Sequence, residues 1–120
     1  MKPSNWNWGI LVSVISLLSP MVKAADITGA WKVSGSVFFN SVDTTCHFKK
    51  DGNAILATCE NDSGPGTYTP ATVDGAKIVW SWDAGPAVLT FQATLTSDSS
   101  MKGTIEVRGF TGTFEAVRRP

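Results

Sequence analysis

In 120 residues the chain has one histidine, one tyrosine and two cysteines, and that scarcity excludes several kinds of chemistry. Two cysteines and one histidine fall short of the four ligands of a closed zinc site. No serine stands in a nucleophile elbow, since Gly35-Ser36 lies inside a strand pattern without the Gly-x-Ser-x-Gly context. Gly64-Pro65-Gly66 lacks the lysine and the helix of a phosphate loop. No pattern for a cofactor or a metal is present. Lys plus Arg and Asp plus Glu number 10 each, so no excess of base is available to meet a polyanion, and no nucleic-acid partner is expected. Neither a sustained helical period nor an apolar run of the about 20 residues that a membrane helix needs occurs.

What is there begins with an export signal. Lys2, the apolar run from Gly9 to Leu18 and the small-residue ending Val22-Lys23-Ala24 have the three-part layout of a secretory leader. Pro20 stops the apolar helix just before the cleavage region. Residues 1–24 are therefore expected to be a removable signal peptide, and 25–120 a single domain that is periplasmic or secreted. The alternative, an uncleaved anchor, needs a longer apolar run. No cysteine lies near the cleavage point to carry a lipid. Loss of Lys2 and Lys23 leaves eight bases against ten acids, a net charge of about −2.

The remaining chain is small enough to benefit from a staple. Cys46 and Cys59 flank Lys50-Asp51-Gly52-Asn53, a turn signal between the β-patterned runs Thr45–Phe48 and Ile55–Thr58. In such a hairpin the two cysteines fall nearly opposite each other, which predicts a disulfide. Closing a loop of about 15 residues contributes roughly 3 kcal/mol in the chain-entropy view.

Eight β-patterned runs follow from alternation and turn chemistry: 27–38, 44–49, 54–60, 67–73, 76–82, 87–96, 101–108 and 110–118. The punctuation between them includes Asn40–Asp43, Asp51-Gly52, Asn61–Gly66, Asp74-Gly75, Asp83–Pro86, Ser97–Ser100 and Gly109. Links this short make sequence neighbours pair antiparallel. Ile78, Trp80 and Trp82 share one face, as do Leu89, Phe91, Ala93 and Leu95, then Met101, Gly103, Ile105 and Val107, then Phe110, Gly112, Phe114 and Ala116. A meander with one buried face predicts an all-β fold, an eight-stranded antiparallel up-and-down barrel, whose closure removes exposed edges. Glycines at inward positions suit strands that bend. A β-sandwich is the alternative, because alternation alone does not report closure.

The opening Asp26-Ile27-Thr28-Gly29-Ala30-Trp31 resembles the Gly-x-Trp start of the calycins, meaning lipocalins, fatty-acid-binding proteins and avidins. The ending Ala116-Val117-Arg118-Arg119 is similar to their late arginine, which lies over that tryptophan. The resemblance implies a calycin-like barrel with Trp31 and Arg118 as a structural pair at its closed end, where a guanidinium stacks on an indole. It departs from lipocalins in being shorter, without room for their helix. The chain also resembles small uncharacterised bacterial exported proteins with the pattern Gly-x-Trp, Cys, Asp-Gly, Cys, Asp-Gly-x-Lys-Ile-x-Trp, which imply no activity.

An eight-stranded barrel either fills its lumen with side chains or holds one small ligand. The inward rings Trp31, Trp80, Trp82, Phe91, Phe110 and Phe114 serve as core in the first case. In the second, Trp80, Trp82, Tyr68 and Phe91 line a cavity for an apolar or aromatic molecule, with polar atoms from Tyr68, Thr72 or Asp83. A cofactor-free lyase or isomerase using Asp83 or Tyr68 for proton transfer is the catalytic alternative, and a solid-core interaction protein is the third reading. His47 alternates with Cys46 and is expected to face solvent, unsuited to act as a general base. Glu60 and Asp62 read as turn formers, and Asn61-Asp62-Ser63 matches a glycosylation acceptor. No feature forces an oligomer.

Overall fold

Every connection after residue 26 is too short for a crossover, so each strand returns beside its predecessor. The computed structural model describes residues 26–120. Its strands are β1 (Gly29–Val37), β2 (Asn40–Asp51), β3 (Ala54–Asn61), β4 (Thr69–Asp74), β5 (Lys77–Asp83), β6 (Val88–Ser97), β7 (Ser100–Val107) and β8 (Phe110–Arg118). Gly64–Pro65 adds a two-residue bridge back onto the end of β3. The predicted signal segment, 1–24, lies outside the described residues, among which there is no helix.

All neighbours pair antiparallel, and β8 returns to β1, with Thr113 opposite Ser36 and Arg118 opposite Trp31. Together with the β3–β4 ladder at Ile55–Ala57, this closes one sheet into an eight-stranded barrel, which excludes the sandwich. Closure bends the strands where inward side chains are missing. A Cβ at Gly103 would lie 1.8 Å from Gln92 O, and one at Gly112 would lie 1.9 Å from Ser36 O. Only glycine lets adjacent strands coil that closely.

Turn chemistry places most of the hairpins. Arg108 and Gly109 both take positive φ, 51° and 81°, the two-residue type I′ geometry that matches strand twist. The first hairpin departs from expectation. Its turn is Phe38-Phe39, not Asn40–Asp43, and β2 begins at Asn40 rather than at 44. The register explains the difference. Val37 pairs with Asn40 and Val33 with Thr44, which keeps Val42, Thr44, Cys46 and Phe48 on the inner face. Asp43, turn-like by type, is an outward strand residue ion-paired to Lys32.

Cys46 sits directly opposite Cys59 in the β2–β3 ladder and is bonded to it, with both residues fully buried. Around this staple the core gathers Trp31, Val33, Ile78, Met101, Ile105 and Ala116 with a cluster of rings. Trp80 stacks on Phe91 with centroids 4.8 Å apart and planes 11° apart. Phe48 meets Trp80 edge-on at 5.0 Å, and Phe114 meets Phe91 edge-on at 5.3 Å. Phe110 was expected inside with Phe114 but is 49% exposed. It keeps the inward phase of β8, yet as that strand's first residue it stands at the rim.

Candidate functional site: the open end of the barrel

The two ends of the barrel are finished differently. One is sealed by the segment leading into β1: Ile27 and Trp31 are fully buried, and Trp31 Nε1 donates to Ile27 O at 2.9 Å. Arg118 lies over the Trp31 ring at 4.6 Å from its centroid. Its Nη1 donates to Thr28 O at 2.7 Å, its Nη2 to Asp26 O at 2.8 Å and its Nε to Asp98 O at 3.1 Å. One guanidinium therefore ties the leading segment to the β6–β7 turn. The Asp26 carboxylate accepts from the Thr28 hydroxyl and backbone N–H, which holds its pKa below the ordinary value of 3.8.

The other end is a mouth. Between the Phe38-Phe39 turn, the Asp83–Ala87 connection and the Arg108-Gly109 turn lies a cavity of about 510 Å³. Val37, Val42, Trp82, Leu89 and Val107 form its apolar wall, with Phe38, Phe110 and Arg108 at the rim. Alternation along β1, β2, β5, β6 and β7 brings the wall residues inward at one height, and Val37 and Leu89 are buried at the bottom. One inward position further along β5 and β6, Trp80 and Phe91 are stacked and buried in the core. At the rim Phe38 packs against Phe39 at 4.6 Å and against Phe110 at 4.8 Å. Arg108 bridges the mouth, its Nη2 donating to Pro86 O.

The four residues expected to line a ligand cavity are thus not one site. Trp82 is at the mouth cavity. Trp80 and Phe91 are in the closed core beneath it, and Trp80 Nε1 has no hydrogen-bond partner there. Tyr68 is outside the barrel, with the Lys49 ammonium 4.1 Å from its ring centroid. Asp83 is exposed and its Oδ1 accepts from Gly85 N at 2.9 Å, stabilising the β5–β6 connection as an Asx turn. Thr72 pairs with Val79 on the outer face. His47 faces outward, yet it is paired: its Nε2 is in contact with Glu60 Oε2. Glu60 is accordingly a strand residue rather than a turn former. The rim residues Phe38 and Arg108 escaped the sequence reading. Their signal was positional, since each occupies the first place of a two-residue turn whose strands alternate in register.

No protein-family profile matches the chain, and no curated protein matches it. Among solved structures it is similar to a redesigned beta barrel, b11L5F_LGL, with a TM-score of 0.64 and 16% identity over 78% of this chain and 92% of that one. A redesigned beta barrel, mFAP1, bound to DFHBI aligns with a TM-score of 0.54 and 17% identity, covering 78% of this chain and 94% of that one. EF1p2_mFAP2b bound to DFHBI aligns with a TM-score of 0.55 and 19% identity at the same coverage. At these identities the likeness is one of fold: a small closed antiparallel barrel.

Proposed function

We propose that this is an exported binding protein that holds one small apolar or aromatic molecule in the mouth of its barrel. The carrying observation is the cavity of about 510 Å³ with an apolar wall, a volume within the range of small-molecule pockets. Its wall offers apolar surface and the Trp82 indole, and rings at the rim supply stacking area. Two barrels of similar fold hold DFHBI, which supports ligand binding in an architecture of this size. Export is supported by the leader-like residues 1–24 and by the disulfide, which suits an oxidising compartment. The lyase or isomerase reading gains nothing from the mouth, because neither Asp83 nor Tyr68 lines it.

The test is native mass spectrometry of the protein purified from its own host, followed by denaturing extraction and by titration with DFHBI. A stoichiometric small molecule, or saturable DFHBI binding that Trp82→Ala abolishes, is the expected result. An empty mass together with no response to DFHBI or to a panel of apolar compounds would instead favour an interaction protein that meets its partners through Phe38 and Phe39.

A further inference from the structure

Next to the mouth the barrel wall is parted. The β4–β5 ladder holds only from Thr72–Val79 to Asp74–Lys77, although β5 runs on to Asp83. Beyond Val79 the strands are joined by a side-chain hydrogen bond, Thr69 Oγ1 donating to Ser81 O at 3.4 Å, in place of a backbone ladder. The gap is a second cleft, of about 470 Å³, whose lining includes Thr58, Asn61, Thr67, Ser81, Trp82 and, at its outer edge, the exposed Asp83. Its lining is more polar than that of the mouth, and Trp82 belongs to both.

Two of these residues carry buried polar atoms with no hydrogen-bond partner in the protein, Thr58 Oγ1 and Trp82 Nε1. Thr58 is 1% exposed. Buried polar groups are nearly always paired, and leaving one unpaired is costly. Here two such groups meet at one cleft from the two faces of the sheet, Thr58 from the outer face opposite His47 and Trp82 from the inner one, beside a cavity built for apolar material. The indole N–H is a donor only, whereas the threonine hydroxyl donates or accepts. Together they suit an oxygen substituent.

We infer that the molecule held in the mouth carries a hydroxyl or carbonyl oxygen that enters the parted wall and hydrogen-bonds with Thr58 Oγ1 and Trp82 Nε1. The site then selects an apolar or aromatic body bearing one polar group over a plain hydrocarbon. This rests on the binding function proposed above.

Isothermal titration of wild type, Thr58→Val and Thr58→Ser with 2-naphthol and 2-methylnaphthalene, which differ by a hydroxyl against a methyl, tests it. Thr58→Val keeps the side-chain shape and removes an unpaired hydroxyl, so the fold is preserved. The expected result is that Thr58→Val weakens 2-naphthol about five-fold, the worth of one neutral hydrogen bond, while 2-methylnaphthalene changes by less than about two-fold. Thr58→Ser restores the preference for 2-naphthol. The Trp82 indole N–H resonance moves downfield with 2-naphthol and not with 2-methylnaphthalene. Equal loss of both probes, or none for either, would overturn the inference while leaving the mouth as a binding site. Failure of both probes to bind wild type would overturn the binding function itself, and this inference with it.

Discussion

The closed end and the mouth are built from similar parts to opposite effect. Each has a tryptophan facing inward and an arginine near it, Trp31 with Arg118 and Trp82 with Arg108. At the closed end the indole is fully buried, its N–H is satisfied, and the guanidinium covers its face. At the mouth the indole is half-buried, its N–H is unsatisfied, and the arginine reaches across the opening to a backbone carbonyl instead of covering the ring. The difference follows from the chain. Asp26–Thr28 supplies carbonyls and Ile27 to plug one end, whereas the other is ringed by turns too short to fold inward. Satisfied polar groups stabilise a plug, whereas an unsatisfied one beside a cavity leaves room for a partner.

The largest expected effect comes from breaking the plug. Trp31→Ala removes a fully buried indole and the surface on which Arg118 rests, and should cost about 3–5 kcal/mol in urea unfolding. Trp82→Ala removes a half-buried indole from a cavity wall and should cost less than half as much. Equal losses would mean that the mouth is as much core as the plug, and that the contrast is wrong. Next in size is the staple: replacing Cys46 and Cys59 together by alanine should cost about 3 kcal/mol, from the entropy of a loop whose ends are 13 residues apart. Reduction of the wild type by dithiothreitol should lower the unfolding midpoint to a similar extent, whereas an unchanged midpoint would show that the β2–β3 ladder holds itself.

Residues with an alternating partner on the next strand were legible before any coordinates, and so were hairpins punctuated by Gly or Asp-Gly. Both signals are local: pleat period fixes the face, and a φ > 0 requirement fixes the turn. The cysteines were readable for the same reason, since a hairpin converts sequence spacing into cross-strand distance. The site was less legible because height along the barrel axis is a property of the whole sheet. Trp80 and Trp82 share one face and differ by two residues, yet one is buried core and the other cavity wall, according to which end of β5 adjoins the open turns. The Phe38-Phe39 turn was hidden because Asn40, Ser41 and Asp43 are better turn formers by type. The register of β1 against β2 overrode that local preference.

That turn offers a smaller test of what the mouth gives up in stability for its shape. Phe38 is an aromatic residue at φ 60°, a region that costs an L-residue roughly 1–2 kcal/mol, and it is 65% exposed. Phe38→Gly relieves the backbone but also gives up the contacts with Phe39 and Phe110 and adds chain entropy. The net expectation is a gain of up to about 1 kcal/mol in chemical unfolding, accompanied by weaker DFHBI binding at the rim. A loss of stability would show that the ring cluster, rather than the cavity, is what the turn supports.

The smallest expected effect lies at the plug and is read by pH. Asp26 keeps its carboxylate charged at lower pH in the folded protein because the Thr28 hydroxyl, then its backbone N–H, donate to it. A carboxyl whose folded pKa is depressed adds stability above its unfolded pKa, and that contribution is lost as pH falls through the folded value. Asp26→Asn retains an acceptor oxygen for Thr28 while removing the charge. Wild type and variant should therefore be indistinguishable in strong acid and separate slightly, wild type the more stable, as pH rises through the depressed folded value, with the difference complete above the ordinary aspartate value of 3.8. A separation independent of pH would assign the contribution to the shape of the turn, leaving the plug to Ile27, Trp31 and Arg118 alone.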